Sequence, residues 1–293
     1  MAFLVLGADA DTWRQRLNAA MPGERWLLET ARPDPSIEAA IVANPPHGSL
    51  QGLPNLRLIQ SVWAGVDRLL LDPTLPYDVP IARMVDPAMN EAMVQTALWA
   101  VLSLHRGFFD LAALQRECIW RQPPQPRASE WRVLVLGLGE LGGRVAAALQ
   151  VQGYAVSGWR ASDGIEPPLA EADTVINLLP LTPKTSGFFN AERLARMKPG
   201  ASLVNLARGA HVVEADLLAA LDSGRLRHAV LDVFAQEPLP ARHLLWSHPG
   251  VSVLPHCAAQ TDPRSALEVV VANLSALRAG TPLSHRVDRS KGY

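Results

Sequence analysis

The chain has 293 residues, 48% of them hydrophobic, enough for a large core and close to the length at which chains divide into two domains. Its 27 basic and 28 acidic side chains leave a formal charge of −1, so no global field would hold nucleic acid or an anionic membrane. Two cysteines, Cys118 and Cys257, are too few for a disulfide framework and lack the Cys/His spacing of a zinc site.

Residues 1–7 are apolar, but Asp9, Asp11 and Arg14 interrupt them before a signal peptide's apolar segment or a membrane span could form. A cytoplasmic location is the expectation. Short strands are predicted at 3–6, 40–42, 57–62 and 79–82, with a helix over 10–21 that begins near Asp9 or Asp11 and stops near Pro22. These make a first α/β unit with its own parallel sheet. Residues 90–104 mix apolar and small side chains as a long buried helix does, and 107–118 predict another. Pro123, Pro124 and Pro126 then deny the backbone regular hydrogen bonding, which marks an exposed connector.

Within the largely apolar run at 131–136, Val133, Leu134 and Val135 stand in an unbroken row that suits a parallel strand buried on both faces. Gly137-Leu138-Gly139-Glu140-Leu141-Gly142 follows it at once and opens a helix-like stretch over 141–152. A dinucleotide pyrophosphate needs that order, because bare N–H groups at a helix start can meet its charge closely. Beyond it, strands are predicted at 155–159, 173–178, 201–206, 229–234 and 251–254, with helices over 191–197 and 213–223. Six buried strands with intervening helices fit a doubly wound sheet. Asp262 can cap a last helix over 263–279, Gly280 can end it, and 288–293 are expected to fray.

Coenzyme choice turns on the residues after the second of these strands. No carboxylate stands at the strand end, and Arg160, aided by Ser162, could pair with a 2′-phosphate and favour NADP; Asp163 reaching back to NAD is the alternative. Trp159 either covers the adenine or packs in the core. Thr182 and Thr185 either approach phosphate or shape their turn.

Three segments that each follow a strand carry an arginine, a glutamate and a histidine: Asn205-Leu-Ala-Arg208-Gly209, Asp232-Val-Phe-Ala-Gln-Glu237-Pro238 and Leu254-Pro-His256. Loops beyond successive strand ends of an open parallel sheet converge on one crevice. Arg208 can grip a carboxylate with parallel donors, or form a loop salt bridge. His256 can donate a proton while Glu237 holds its other nitrogen and supports its charge; a satisfied histidine beside a surface acid is the plainer reading. His211, His228, His243 and His248 lack such context and are read as structural. Arg208 would repel a metal ion, and Cys257 as nucleophile is disfavoured because neighbours along a strand face opposite ways.

In order and over nearly the whole chain, Ser61-Val-Trp63-Ala64-Gly65-Val66-Asp67, the glycine fingerprint, Leu179-Pro180-Leu-Thr-Pro, Asn205-Leu-Ala-Arg208-Gly, Asp232-Val-Phe and Pro255-His256 resemble the D-2-hydroxyacid dehydrogenase family, and within it the glyoxylate/hydroxypyruvate reductase A branch. The resemblance implies two Rossmann-like α/β domains, each with a parallel sheet. An NAD(P)-binding domain at 99–263 would be inserted in a flavodoxin-like substrate domain formed by 1–98 and 264–293. Catalysis would fall to Arg208, Glu237 and His256. Coenzyme contacts would come from the fingerprint residues 137–142, from Trp159, Arg160 and Ser162, from Leu179, Pro180 and Thr185, and from Leu206, Ala207, Arg208, Asp232 and His256. The loop Trp63, Ala64, Gly65, Val66 would offer backbone N–H groups to the substrate carboxylate, with Arg208 and His256 as further substrate contacts; Asp67 would cap the short helix that follows.

The implied reaction is NADPH-dependent reduction of glyoxylate or hydroxypyruvate by hydride transfer to C2, giving glycolate or D-glycerate, with NAD(H) also possible. Relatives commonly dimerise through the coenzyme domain and its leading helices, and Phe108, Phe109, Leu111, Leu114, Ile119 and Trp120 could supply that surface. The alternatives are a related enzyme for a bulkier acid or phosphite, or a dinucleotide-sensing binding protein.

Overall fold

The computed structural model describes residues 1–160 and 164–293, and of Glu166 the backbone only. It forms two compact units, Met1–Met89 with Thr261–Tyr293, and Asn90–Gln260. The first division, 89/90, comes nine residues before 98/99, because Met93 and Ala97 already pack in the core of the second unit; the second, 260/261, comes three before 263/264.

The first unit begins with β1 (Ala2–Gly7), α1 (Ala10–Ala20), β2 (Arg25–Leu27), β3 (Ile37–Ala43), β4 (Leu58–Ser61), α2 (Asp67–Leu70) and β5 (Ile81–Ala82). Its five strands are all parallel, in the order β2-β1-β3-β4-β5. That is the flavodoxin-like order of a doubly wound sheet. Ala2, Leu4, Ala40, Val42 and Ile59 bury one face of the sheet against Leu50, Leu53, Leu56 and Leu69. Each such burial contributes roughly 1.5–3 kcal/mol for a leucine or isoleucine.

The second unit is entered along α3 (Pro87–His105) and continues with α4 (Phe108–Arg116), β6 (Arg132–Leu136), α5 (Glu140–Val151), β7 (Ala155–Trp159), α6 (Glu166–Glu171), β8 (Thr174–Asn177), α7 (Ala191–Arg196), β9 (Ala201–Asn205), α8 (Glu214–Asp222), β10 (Leu226–Leu231) and β11 (Val251–Val253). Helix α9 (Pro263–Ala279) then belongs to the first unit. The six strands are parallel, in the order β11-β10-β9-β8-β6-β7. Along β6 the faces alternate: Leu134 and Leu136 pack with Leu169, Leu194 and Leu217, whereas Val133 and Val135 pack with Ala97, Val101, Val145 and Leu149. Helices therefore cover both faces, which is why these strands read as apolar runs without a period of two.

Local chemistry explains where sequence and structure part. β2 escaped notice because three residues with one buried side chain, Trp26, are too few to show a period. Asp9 is the N-cap residue of α1 but accepts no capping hydrogen bond; Asp11 instead takes Arg14 and Gln15 one turn on. Likewise Val66, not Asp67, is the N-cap of α2. At α9 the expected cap is present, Asp262 Oδ1 accepting from the Arg264 N–H at 2.9 Å, with Gly280 ending the helix. The last residues, expected to fray, carry hydrogen bonds: Asp288 accepts from Ser290 N–H, and the Arg289 guanidinium donates to the Pro76 and Val79 carbonyls at 2.7 Å. The proline connector is anchored by buried His105, whose Nε2 lies 2.8 Å from the Pro126 carbonyl oxygen and whose Nδ1 faces the Tyr154 hydroxyl.

Among the described residues no single helix is long and apolar enough to cross a membrane. Helices α3 and α4 satisfy length and composition only as a pair bent by 63°, and α3 spends Ala97, Ala100, Val101 and Leu104 on the core.

Candidate active site

One rung of the second sheet sets the geometry. Trp159, Leu136, Asn177, Asn205, Leu231 and Val253 are successive neighbours across it, so all six loops at the carboxyl ends of the strands start from one line. The sheet reverses its winding between β6 and β8, and the fingerprint loop leaves β6 at that point, where open α/β sheets bind ligands.

Gly137 has φ 91°, and a Cβ there would stand 2.7 Å from the Leu178 carbonyl oxygen. A Cβ on Gly142 would run into the Gly137 carbonyl, so both positions are closed to larger residues. Around Gly139, by contrast, a Cβ would meet nothing within 4 Å. Gly139 is the N-cap residue of α5 and has no side chain to satisfy the first-turn donors, which leaves an uncapped helix start facing open space. A pyrophosphate fits such a start. Glu140 turns its carboxylate to Arg144, 2.8 Å away, and Leu138 and Leu141 pack at the edge of the core.

Trp159 lies in the core, 5.6 Å from Phe188 between ring centroids, and its carbonyl oxygen accepts from Gly137 N–H at 3.1 Å. Of its two readings, packing is the one the structure displays. Arg160 is exposed directly after β7, and Ser162 lies outside the described residues. After β8, Leu179 is buried, and Thr185 Oγ1 donates to the Pro180 carbonyl at 2.7 Å while accepting from Thr182 N–H at 2.8 Å. The hydroxyl of Thr185 thus shapes this turn.

The three acid-base candidates come from adjacent strand ends. Asp232 N–H donates to the Asn205 carbonyl at 3.0 Å, and His256 N–H donates to the Asp232 carbonyl at 2.9 Å, which stitches the loops after β9, β10 and β11 together. His256 Nδ1 lies 2.7 Å from Glu237 Oε2, and Glu237 Oε1 accepts from Phe234 N–H at 2.9 Å. The Nδ1–H therefore points at the carboxylate. The Nε2 edge carries no hydrogen bond to any described residue, and the side chain is 52% exposed. Arg208 follows Leu206 and Ala207, which are buried, and is itself half-buried, one Nη1–H donating to the Ala207 carbonyl. Its neighbour Gly209 is pressed against the Phe234 backbone so closely that a Cβ would overlap it. The loop bearing Arg208 consequently abuts the loop bearing Glu237.

Asp232 is buried, and its Oδ1 accepts from the N–H groups of Cys257 and Ala258 at 2.7 and 3.1 Å. Burial pushes its carboxyl above the ordinary range, against the pull of those two donors. Burial and the Asp232 carboxylate also push the Cys257 thiol up, away from the thiolate a nucleophile needs. Among the described residues no three His, Cys, Asp or Glu side chains gather as a metal set.

In the first unit the loop after β4 is held at its start, with Ser61 Oγ donating to the Trp63 carbonyl and accepting from Trp63 N–H, and Met84 N–H donating to that carbonyl at 3.1 Å. Trp63 is exposed, Ala64 and Gly65 are half-exposed and Val66 is buried.

The family model for the D-isomer specific 2-hydroxyacid dehydrogenase NAD binding domain matches residues 98–258. A curated relative, the glyoxylate/hydroxypyruvate reductase A of Klebsiella pneumoniae strain 342, is 38% identical over 303 residues, 97% of each chain. This chain belongs to the D-isomer specific 2-hydroxyacid dehydrogenase family. Among solved structures, the D-isomer specific 2-hydroxyacid dehydrogenase of Xanthobacter autotrophicus Py2 in complex with NADPH and MES has a TM-score of 0.92 at 38% identity, covering 100% of this chain and 99% of that one. The NADPH-dependent glyoxylate/hydroxypyruvate reductase of Sinorhizobium meliloti, in complex with NADP and sulfate, has a TM-score of 0.91 at 32% identity with the same coverage.

Within this dehydrogenase, Asn177, which the sequence reading did not single out, and His211, which it read as structural, are both buried beneath the loops after β8 and β9. A polar residue at the end of an apolar strand, as Asn177 and Asn205 are, was the available signal.

Proposed function

We propose that this dehydrogenase reduces short 2-oxo acids, glyoxylate and hydroxypyruvate foremost, with NADPH. The observation that carries the reading is the His256–Glu237 pair, 2.7 Å apart with the Nε2 edge open, on a loop stitched to the one that bears Arg208. The names of the reductases it resembles point the same way.

NADPH, when bound, supplies the hydride. Its pyrophosphate would be taken by the backbone of Gly137–Gly142 and its 2′-phosphate by Arg160, with Leu179, Pro180, Leu206, Ala207 and Asp232 along the remaining strand ends. Arg208 holds the substrate carboxylate with its planar fork and draws electron density towards the carbonyl oxygen. His256 delivers the Nε2 proton to that oxygen. Glu237 keeps the ring oriented and stabilises its charge. In the first unit, the loop Trp63–Val66 is, by family resemblance, a further candidate for substrate contact, through its backbone N–H groups.

The enzyme is further assigned a homodimeric state and a cytoplasmic site of action. Trp99, Leu102 and Phe108 form an exposed apolar patch on α3 and α4, and a reducing compartment suits two free, exposed cysteines. Light scattering and cell fractionation test these two assignments.

The deciding experiment follows NADPH or NADH absorbance: its loss with glyoxylate, hydroxypyruvate and bulkier 2-oxo acids, and its gain when the oxidised coenzyme is supplied with phosphite. NADPH with one of the two short acids should give the largest kcat/KM. A preference for a bulkier acid, for phosphite or for NADH would replace the assignment; no turnover with any of them would point to a binding protein.

A further inference from the structure

Asn177, Asn205 and His211 are wholly buried, three polar side chains under the loops that follow β8 and β9. Asn177 Nδ2 lies 2.9 Å from Asn205 Oδ1 and 3.0 Å from His211 Nδ1, while its Oδ1 accepts from Leu179 N–H at 3.2 Å. Asn205 Oδ1 accepts also from Ala207 N–H at 3.3 Å, and its Nδ2 donates to the Arg208 carbonyl at 3.0 Å. On the far side, His211 Nε2 stands 3.3 Å from the Pro180 carbonyl oxygen.

Donor and acceptor roles in this cluster follow from the orientation of the Asn177 amide. Because Leu179 N–H occupies Asn177 Oδ1, the amide turns its N–H groups towards both Asn205 and the imidazole, so His211 Nδ1 has to accept. The ring proton then sits on Nε2 and donates to Pro180. A proton on Nδ1 would set donor against donor inside the core, where an unmatched polar group is most costly. The cluster therefore ties four backbone groups, at Leu179, Pro180, Ala207 and Arg208, into one register. Beyond Arg208, Gly209 meets the Phe234 backbone and fixes the other side of the same residue.

We propose that Asn177 is a positioning residue: together with Asn205 and a neutral, Nε2-protonated His211 it locks the loops after β8 and β9 against each other and so sets the direction in which Arg208 leaves the backbone. The role rests on the reading of Arg208 given above. Asn177→Asp keeps the shape and replaces the donating nitrogen by an accepting oxygen. In that variant kcat for glyoxylate should fall by roughly tenfold or more while the Kd for NADPH stays within about threefold, since misdirecting a clamp harms the reacting geometry before it harms binding. Arg208→Lys should mask the effect: the double variant should lose no more than Arg208→Lys alone, because both act on one interaction. NMR of 15N-histidine-labelled wild type should place the His211 proton on Nε2. A normal kcat in folded Asn177→Asp, losses that add in the double variant, or an Nδ1-protonated His211 in the wild type overturns the proposal. Should Asn177→Asp fail to fold, His211→Gln, whose amide can still donate to Pro180, carries the same comparison. A wild type without turnover on any acid would instead sink the reading of Arg208, and this role with it.

Discussion

His256 adopts φ 51°, in the left-handed region that β-carbon sterics make rare outside glycine. Its N–H is held by the Asp232 carbonyl, and the next two N–H groups close on the Asp232 carboxylate, so the conformation is imposed by the turn that aims the imidazole at Glu237. Asparagine tolerates this region better than most residues. His256→Asn should consequently keep the backbone turn while removing the proton donor, lowering kcat by roughly 10²–10⁴-fold with NADPH affinity retained. Steady-state kinetics beside a coenzyme fluorescence titration check this, and turnover close to wild type would remove His256 from the reaction. At this scale the sequence showed the position of the candidates: arginine, glutamate and histidine each lie in a loop that follows a strand, and the apolar run before each loop marks it. What it concealed was how buried polar atoms are used. The Asp232 carboxylate braces the His256 loop, the Thr185 hydroxyl closes a turn, and the Trp159 ring fills core, because a side chain's partners depend on neighbours far away in the chain.

Among the elements, β10 carries a histidine that the acid-base chemistry does not use. His228 stacks on Phe109 of α4, with ring centroids 4.4 Å apart and planes within 4°, and its Nε2 lies 3.0 Å from Ser252 Oγ on β11. Burial pushes its pKa down from 6.5 to about 4. The folded ring stays neutral where the unfolded one is already protonated, so its contribution is fully present above pH 6.5 and is lost as the pH falls towards 4. Between pH 7 and pH 5 the loss should be about 2 kcal/mol, and His228→Gln should remove most of this dependence. Urea unfolding at the two pH values measures it; equal losses in the two proteins would count against the mechanism. The element itself was legible as an apolar run, as were β6, β8 and β9. The short β2 and α6 were not, since their few residues take conformation from packing more than from any pattern of their own.

For the whole molecule, the decisive fact is that one unit is continuous in sequence and the other is not. Both core clusters that sandwich the second sheet draw every buried member from Asn90–Gln260. A fragment spanning 90–260 should therefore fold cooperatively alone and bind NADPH, as read by circular dichroism and fluorescence. A disordered fragment would show that it leans on the rest of the chain. Residues 1–89 by themselves should not fold, because they lack α9. In the first unit α9 supplies Asn273, whose Nδ2 donates to buried Gln60 Oε1 on β4 at 2.7 Å, and Arg57 reaches the Leu277 carbonyl. The two-unit order was visible from a repeated strand-helix pattern interrupted by the fingerprint; the dependence of the opening segment on the closing helix was not, because contacts across more than 200 residues leave no local mark.

That dependence bears on biosynthesis. The amino-terminal segment leaves the ribosome first, yet Gln60 waits for an asparagine translated 213 residues later. The inserted unit is already complete by then, so the protein is expected to mature from its middle outwards, its earliest-made sheet closing last.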